Sequence, residues 1–315
     1  INVAPRPGFK AIIKQIKKDT LTITDVVFII APRINAAGRM KHGLYAVNLL
    51  VEENQETADL YALEIETFNS DRRDADKTIT IEALAQIEEL QEKERFTTVV
   101  YDKNWHKGVI GIVASRLTET YYRPTLVFTK SGDKLAASAR SVKDFDVYDA
   151  LEGCKEFIEQ FGGHKYAAGL TLLESDYVGF KQKFEEVVAS SIDKRLLIPE
   201  IAIDAELALD DISPKFHRIL KQFAPHGPGN MSPVFLTKNL NDTGYGKCVG
   251  GDNLHLKCRV KQIHTSVSID AIGFNLGNKS ELISSKKKFN AVYSIDENEW
   301  NGNVSLQLKL KDISS

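Results

Sequence analysis

Three short segments of this sequence combine arginine, histidine, serine and glycine in ways that suit the binding of phosphate oxygens. The first reads PRINAAGRM and places Arg33 and Arg39 on either side of small residues and an asparagine. Small residues let a ligand approach the backbone, and the planar guanidinium group matches phosphate oxygens. Because arginines near a helix start also serve as surface ion-pair partners, the spacing alone leaves both interpretations open.

The second segment is a loop that carries a histidine and runs directly into a predicted helix. It reads WHKGVIGIVASR, and His106 stands just before the helix start. Backbone amides at a helix start attract anions, and a histidine can donate a hydrogen bond beside them. A single loop histidine is more often structural, so the functional interpretation competes with a structural one.

The third indication comes from two segments that read ASARS and FGGHKYAAG. Ser138 and Arg140 stand at the end of a predicted strand. The consecutive glycines Gly162 and Gly163 predict a turn in which backbone N–H groups and the imidazole of His164 face one ligand. Core packing does not explain this combination, so we expect a phosphate site here.

Several familiar catalytic and metal-binding motifs are absent from the sequence. It contains no adjacent Asp-His-His triplet, no H-E-x-x-H and no G-x-S-x-G. Its three cysteines, Cys154, Cys248 and Cys258, form no C-x-x-C pair, which argues against both a disulfide framework and a zinc site. We therefore expect reduced cysteines and no metal site within this chain.

A basic stretch later in the chain suits binding of nucleic acid. Residues 244–288 have a net charge of +5, and Lys257, Arg259 and Lys261 alternate along a predicted strand near Tyr245. Basic residues on the strands of a small barrel, with aromatic residues nearby, are typical of a groove for single strands. The alternative is that the lysines only protect an exposed strand edge. The basic residues of this stretch are Lys247, Lys257, Arg259, Lys261, Lys279, Lys286, Lys287 and Lys288.

The elements that would position these residues begin with a long acidic helix. Residues 52–95 have a net charge of −9 and contain neither Gly nor Pro. Their apolar residues recur at helical spacing, which predicts one long helix or two joined helices, with the acids on a solvated face. A helix of about 40 residues would be ~60 Å long, too long for one small domain. We interpret it as a connector between domains.

The segments after the connector predict two different folds. Strand and helix patterns alternate over residues 96–196, which predicts an α/β domain with a helix over residues 147–161. From residue 197 on, short alternating runs separated by Asn, Asp and Gly predict a small β-barrel. The expected fold class is therefore multidomain, α/β plus all-β.

Composition narrows the class of protein further. With 43% hydrophobic and 27% charged residues, the chain has the composition of a globular protein. Its apolar runs are too short for a membrane span, and its start has no signal-peptide pattern. We expect a soluble, cytoplasmic protein with no membrane partner. Because the chain begins with Ile1 shortly before an amphipathic segment, we also expect it to be part of something longer.

Taken in order, these motifs resemble the RecJ family of single-stranded-DNA-specific exonucleases, in the DHH phosphoesterase superfamily. The matching segments are PRINAAGRM, WHxGVIGIVASRL, SARS and GGHKYAAGL, followed by FAPHGPGN. The resemblance covers nearly the whole chain. It implies the tail of a DHH catalytic domain over residues 1–53, a long connecting helix over 54–95, a DHH-associated α/β domain over 96–196, and an OB-like barrel over 197–315.

The resemblance also implies an activity, which is 5′→3′ exonucleolytic degradation of single-stranded DNA in repair and recombination. The chemistry would be two-metal hydrolysis with manganese (Mn2+) or magnesium (Mg2+) ions. The motifs that carry the metal ligands in the family are absent here, so the ligands would lie outside this chain, which alone would lack activity. Single-stranded DNA is the implied partner, together with a single-strand-binding protein and a helicase.

Residue roles follow from the same resemblance. Arg39 and Arg33 would reach substrate phosphates, and Ser138 and Arg140 would form the pocket for the 5′ phosphate. The other implied contacts are His106 and His164 at the scissile phosphate, Gly162 and Gly163 at substrate phosphates, and Lys257, Arg259 and Lys261 on the nucleic acid.

Two alternatives remain open. Another DHH enzyme, such as an oligoribonuclease or a cyclic dinucleotide phosphodiesterase, would share the Gly-Gly-His sequence, although the barrel and the long helix weigh against it. The chain alone would otherwise be a non-catalytic module that binds single strands.

Overall fold

The computed structural model of the chain describes residues 1–16, 18, 20–263, 265–285 and 287–315. It divides into two units, Ile1–Pro199 and Glu200–Ser315, each with a hydrophobic core of its own. Lys286, one of the basic residues named above, lies outside the described residues. Within the described ranges, no helix is both long enough and apolar enough to span a membrane.

The first unit begins with a helical segment that ends in one long helix. The elements are α1 (Pro7–Lys14), α2 (Ile23–Asp25), a π-helical stretch (Val26–Ile30), α3 (Ala31–Met40), α4 (Leu44–Val51) and α5 (Gln55–Glu89). The side chain of Asn54 caps α5 by accepting a hydrogen bond from the Thr57 N–H. Without Gly or Pro, α5 runs unbroken for 35 residues, which corresponds to about 52 Å. The prediction of a long helix is confirmed.

A five-stranded sheet with helices on both faces completes this unit. Its elements are β1 (Thr98–Tyr101), α6 (Ile110–Tyr121), β2 (Thr125–Ser131), β3 (Lys134–Arg140), α7 (Val147–Glu152), β4 (Gln160–His164), β5 (Ala167–Leu173) and α8 (Tyr177–Ser191). The strand order is β1-β2-β3-β5-β4, and β1 and β2 run parallel. Helices α7 and α8 cover one face, and α6 packs on β1 to β3 on the other. The neighbouring strands β5 and β4 are largely exposed on that second face.

The prediction of a helix over residues 147–161 is wrong beyond Glu152, and so is the prediction of a turn at the two glycines. Residues 160–164 form the edge strand β4, which pairs with β5, and the chain reverses after His164. The aromatic ring of Phe161 packs against Tyr148, with 5.2 Å between ring centroids. Pairing with β5 and this contact stabilise a strand where the local pattern favoured a helix and a turn.

The prediction that the acids of α5 form only a solvated face is also wrong. Asp76 is buried and accepts two hydrogen bonds from Arg116 on α6, at 2.8 and 2.7 Å. Glu82 accepts a hydrogen bond from the indole Nε1 of Trp105 at 2.7 Å. These carboxylates therefore join α5 to the region around α6, in addition to apolar packing of the two helices.

The second unit is an OB-like barrel. Its elements are β6 (Ala205–Glu206), α9 (Pro214–Leu220), β7 (Phe235–Asp242), β8 (Lys247–Val249), β9 (His255–Gln262), β10 (Ser268–Gly273), α10 (Ser280–Ser284), β11 (Phe289–Trp300) and β12 (Asn303–Ser314). The strand order is β6-β7-β11-β12-β10-β9-β8, with β10 and β12 parallel, and a further pairing of β7 with β9 curls the sheet. The core lies inside, around Tyr293, Phe289 and Leu256. The predicted fold class is confirmed.

Candidate phosphate-binding site and nucleic-acid interface

Helix α3 meets the start of α6 because Gly108 has no side chain. A Cβ atom on Gly108 would lie 2.0 Å from the carbonyl oxygen of Arg39. Arg39 in turn donates a hydrogen bond from Nη1 to the carbonyl oxygen of Gly108, at 3.2 Å. The close approach brings Arg39, at the end of α3, beside the loop that precedes α6.

Arg140 at the end of β3 is held by neutral groups. Its Nη1 donates to the Ser138 hydroxyl at 3.0 Å and to the Ala139 carbonyl at 2.7 Å, and its Nε donates to the Ser115 hydroxyl on α6 at 3.2 Å. Burial and then the positive charge of Arg39 lower the pKa of Arg140. Neither arginine belongs to an ion pair among the described residues. A half-buried cation without a carboxylate partner favours a bound anion.

Two further arginines, which the sequence analysis did not single out, lie in the same region. Burial lowers the pKa of Arg72 on α5, and the Asp76 carboxylate opposes this shift. The charges of Arg39 and Arg116 lower the pKa of Arg72 further. Arg72 and Asp76 are four residues apart on α5 and share one face of the helix, and Arg116 binds the Asp76 carboxylate. We call Arg39, Arg72, Arg116 and Arg140 the arginine cluster. Among the described residues, Asp76 forms its ion pair with Arg116 alone, so positive charge exceeds negative charge in this cluster.

The open strands β5 and β4 extend this site. His164, Ala167 and Arg140 are register partners across β4, β5 and β3, so the Cα atoms of His164 and Arg140 are about 10 Å apart at the usual strand spacing. In the next row, Gly162 pairs with Gly169, which pairs with Ser138. The floor beside Arg140 is thus made of glycine and alanine, which leaves room for a ligand.

His106 stands in the loop before α6, beside the contact between Gly108 and Arg39. Its Nδ1 accepts a hydrogen bond from the Gly108 N–H at 3.1 Å, and Gly108 contacts Arg39. This bond assigns the imidazole proton of a neutral His106 to Nε2, which is free to donate. The imidazole is exposed. His106 and Arg39 therefore both form hydrogen bonds with Gly108.

Arg33 is not brought into the cluster. Its Nε forms an ion pair with Glu66 on α5 at 2.6 Å, and its Nη1 donates to the Ile29 carbonyl at 2.8 Å. Six residues along an α-helix separate side chains by about 120° around the axis, so Arg33 and Arg39 leave α3 in different directions. Arg33 joins α3 to α5, a contact that the spacing could not distinguish from phosphate binding.

The described part of the chain offers no metal centre. No group of three or more His, Cys, Asp or Glu side chains there is arranged to hold a metal ion. The single carboxylate of the arginine cluster, Asp76, is already occupied by Arg116. The residues present therefore do not fit a catalytic metal site.

On the barrel, Lys257, Arg259 and Lys261 all point outward from β9 and are exposed. Arg259 donates from Nε to the Ser268 hydroxyl at 3.2 Å and lies 3.7 Å from a carboxylate oxygen of Asp270. Its charge is partly neutralised, whereas the two lysines have no carboxylate partner among the described ion pairs. The three basic side chains share one exposed face of β9, but they are not equivalent.

The sequence contains only weak signals for the roles of Arg72 and Arg116 in the arginine cluster. Arg72 stands beside Arg73 in an acidic helix, where charge pattern alone predicts surface ion pairs, and Arg116 ends the WHKGVIGIVASR segment without any spacing signal. Their convergence depends on how α5 packs against α6, which local pattern does not contain.

Comparison with known proteins agrees with this architecture. The family model of the DHHA1 domain matches residues 93–191, and that of the RecJ OB domain matches residues 203–312. The single-stranded-DNA-specific exonuclease RecJ of Bacillus subtilis (strain 168) is 32% identical over 313 residues, which cover 98% of this chain and 39% of that protein. RecJ of Escherichia coli (strain K12) is 32% identical over 323 residues, which cover 98% of this chain and 54% of that protein.

A solved structure agrees as well. The crystal structure of RecJ in complex with Mg2+ from Thermus thermophilus matches with a TM-score of 0.83 at 25% identity, over 98% of this chain and 46% of that one. The chain thus spans about half or less of the length of these relatives. It is similar to RecJ over nearly all of its own length, and it matches the DHHA1 domain and the RecJ OB domain in chain order.

Proposed function

We propose that this chain is the phosphate-binding and DNA-binding part of a metal-dependent 5′→3′ exonuclease that degrades single-stranded DNA in repair and recombination. The observation that carries the proposal is the arginine cluster beside the open, glycine-lined strands β5 and β4. Converging guanidinium groups with a small-residue floor suit a polyanion whose phosphates must approach the backbone.

Each residue contributes a distinct contact in this proposal. Arg140 and the Ser138 hydroxyl bind the 5′ phosphate, and Arg39 binds a phosphate next to it. Hydrogen bonds between charged groups contribute ~1.5–3 kcal/mol each. His106 and His164 face the scissile phosphate, where an imidazole N–H stabilises the charge that develops on its oxygens.

Gly162 leaves the exposed face of β4 open to the substrate, and Gly163 allows the pairing of β4 with β5 that presents this face. Arg33 is a weaker candidate for phosphate binding, because Glu66 already neutralises its charge.

The metal chemistry is assigned to residues outside this chain. Structures of RecJ from Thermus thermophilus contain Mg2+ or Mn2+, and the described residues here offer no comparable donor group. This chain's role is therefore to bind and orient the strand end. We further infer a cytoplasmic location, with single-stranded DNA as the bound partner and a single-strand-binding protein and a helicase as the proteins that act beside it.

The proposal is tested by measuring how the chain distinguishes strand ends. Fluorescence anisotropy with 3′-labelled single-stranded DNA would compare 5′-phosphorylated with 5′-hydroxyl strands. We expect tighter binding of the phosphorylated strand, and Arg140→Gln should reduce that preference by about tenfold, since one charge-assisted contact is lost. Arg6→Gln removes an exposed arginine outside the cluster and serves as the matched control.

Equal binding of both strands by the unmodified chain would contradict the assignment of the 5′-phosphate pocket. The same conclusion follows if Arg140→Gln and Arg6→Gln have equal effects on the preference. Tighter binding of a short ribonucleotide or a cyclic dinucleotide than of single-stranded DNA would favour the other DHH phosphodiesterases.

A further inference from the structure

The outer surface of the barrel carries a row of lysines that crosses the strands. Lys247 on β8 pairs with Lys257 on β9, Lys257 pairs with Ile272 on β10, and Ile272 pairs with Lys309 on β12. Register partners share one face of a sheet, so these three lysines point the same way. All three are exposed and take part in no described ion pair. At the usual strand spacing, Lys257 and Lys309 lie about 10 Å apart.

An exposed aromatic ring stands beside this row. Phe274 is 52% exposed and lies just after β10. The Lys309 Nζ is 5.7 Å from its ring centroid, and the His255 ring packs edge-on at 5.2 Å. His255 is itself fixed, because its Nδ1 accepts a hydrogen bond from the Asn275 N–H at 3.2 Å. Phe274 is therefore supported from the side while much of the ring faces solvent.

Two of these lysines, Lys257 and Lys309, line a cleft of about 390 Å³ together with the Phe274 ring. This volume lies in the range of small-ligand pockets. Besides Lys257, Lys309 and Phe274, its lining includes the carboxylate of Asp296 and the amide side chains of Asn298 and Gln307. The cleft thus offers an aromatic surface for a base, two amides for the edge of the base, and two cations for its phosphates. The two cations outnumber the single carboxylate of Asp296.

We propose that this cleft holds one nucleotide of a bound single strand, with its base against Phe274 and the adjoining phosphates at Lys257 and Lys309. The inference rests on the proposed DNA binding by the barrel and adds where the strand runs, which is across β9, β10 and β12. The alternative path along β9 would use Arg259 and Lys261 instead. Arg259 is partly neutralised by Asp270, and Lys261 does not line the cleft.

The test measures binding of 5′-hydroxyl oligothymidine to the full 315-residue chain by anisotropy over a series of salt concentrations. The hydroxyl end avoids the proposed 5′-phosphate pocket. Phe274→Leu should weaken binding at least about fivefold, because stacking of one base is lost, and should leave the salt dependence unchanged. Lys309→Gln should reduce the slope of log affinity against log salt by ~0.7, the value for one phosphate contact with a single strand.

Two lysine variants separate the possible paths. Lys215→Gln, on the exposed side of α9 and outside the cleft, is the matched control and should change neither quantity. Lys261→Gln should have a smaller effect than Lys309→Gln if the strand crosses β9. A larger effect of Lys261→Gln would assign the strand to the path along β9 and overturn the inference.

The remaining outcomes keep the two proposals distinguishable. If the unmodified chain binds but Phe274→Leu and Lys309→Gln behave like Lys215→Gln, the nucleotide cleft is wrong while DNA binding by the barrel stands. If the unmodified chain does not bind at all, both are wrong. Thermal unfolding checks that each variant folds. If Phe274→Leu does not fold, Lys309→Gln still tests the inference, because it changes an exposed side chain.

Discussion

At the residue scale, two glycines of the candidate site differ in whether the backbone requires glycine at their position. Gly163 has a φ of 153°, and a Cβ atom there would lie 2.4 Å from the Ala167 carbonyl oxygen. Its neighbour Gly162 has open space at the corresponding position. The two consecutive glycines therefore have different roles. Gly163 is required for β4 to pair with β5, and Gly162 leaves the exposed face of the strand free.

Substitution by alanine should therefore have different effects on stability at these two positions. Gly163→Ala should lower the free energy of unfolding by about 1–3 kcal/mol, because it combines an unfavourable φ with a backbone clash. Gly162→Ala should leave it unchanged or raise it by up to about 1 kcal/mol, because alanine loses less entropy in a strand. Urea unfolding followed by circular dichroism measures both. Equal destabilisation by the two variants would show that β4 does not pair as described.

The placement of individual candidate residues was predictable from the sequence only where a motif contained the whole signal. Ser138 and Arg140 are two apart on one strand, so their shared face follows from period two alone. Arg33 and Arg39 belong to one equally distinctive motif, yet Arg33 contacts Glu66 on another helix. Arg72 and Lys309 carry no local signal, since the partners that give them a role are far away in sequence.

The position of α6 relative to α3 decides, at the scale of elements, whether the arginine cluster assembles. Arg39 comes from α3, Arg116 from α6 and Arg140 from β3, so small shifts between elements separate their charges. The contact between Gly108 and the Arg39 carbonyl fixes this distance most directly. Asp76 on α5 holds α6 through Arg116.

Gly108→Ala should therefore disrupt the site by moving elements apart. The new Cβ would collide with backbone, which cannot rotate away, so the loop before α6 and the end of α3 must separate. We expect the preference for 5′-phosphorylated strands to fall about tenfold, because a shift of α6 displaces Ser115, which holds Arg140 through its Nε. Anisotropy with the two strand types measures this ratio.

Gly43→Ala is the matched control for that experiment, because a Cβ atom at Gly43 has open space within 4 Å. It should leave the preference for phosphorylated strands unchanged. If Gly108→Ala behaves in the same way, the contact between α3 and α6 does not position the arginines.

Elements were predictable to the extent that local pattern and tertiary packing agree. Helix α5 has no Gly or Pro and a regular apolar stripe, and it forms as one helix. Strand β4 contains two glycines and a favourable alternative as a helix end, and only pairing with β5 makes it a strand. The acids of α5 show the same limit, because charge pattern cannot reveal that Asp76 meets Arg116.

The whole molecule consists of two units with separate cores, and each core contains a buried cysteine. Cys154 lies in the core of the first unit and Cys258 in that of the second, while Cys248 is only partly buried. All three are free thiols, as the sequence analysis predicted. Because the arginine cluster belongs to the first unit and the row of lysines to the second, a loss of DNA binding can arise from either unit.

The two buried thiols provide a check on each unit separately. Burial raises the pKa of Cys154 and of Cys258 to about 12. A raised thiol pKa keeps the sulfur protonated at mildly alkaline pH, and the thiolate is the reactive form.

We therefore expect iodoacetamide to modify Cys248 first in the native chain, and to reach Cys154 or Cys258 only when urea opens the corresponding unit. Mass spectrometry of the peptides gives the three rates, and Cys248→Ser should abolish the fast one. Modification of Cys154 or Cys258 in the native chain at the rate of Cys248 would mean that the corresponding core is open. The same assay decides how every binding variant is interpreted: if Arg140→Gln or Gly108→Ala loses the preference for phosphorylated strands while both buried thiols stay protected, the change acts on the site and not on the fold.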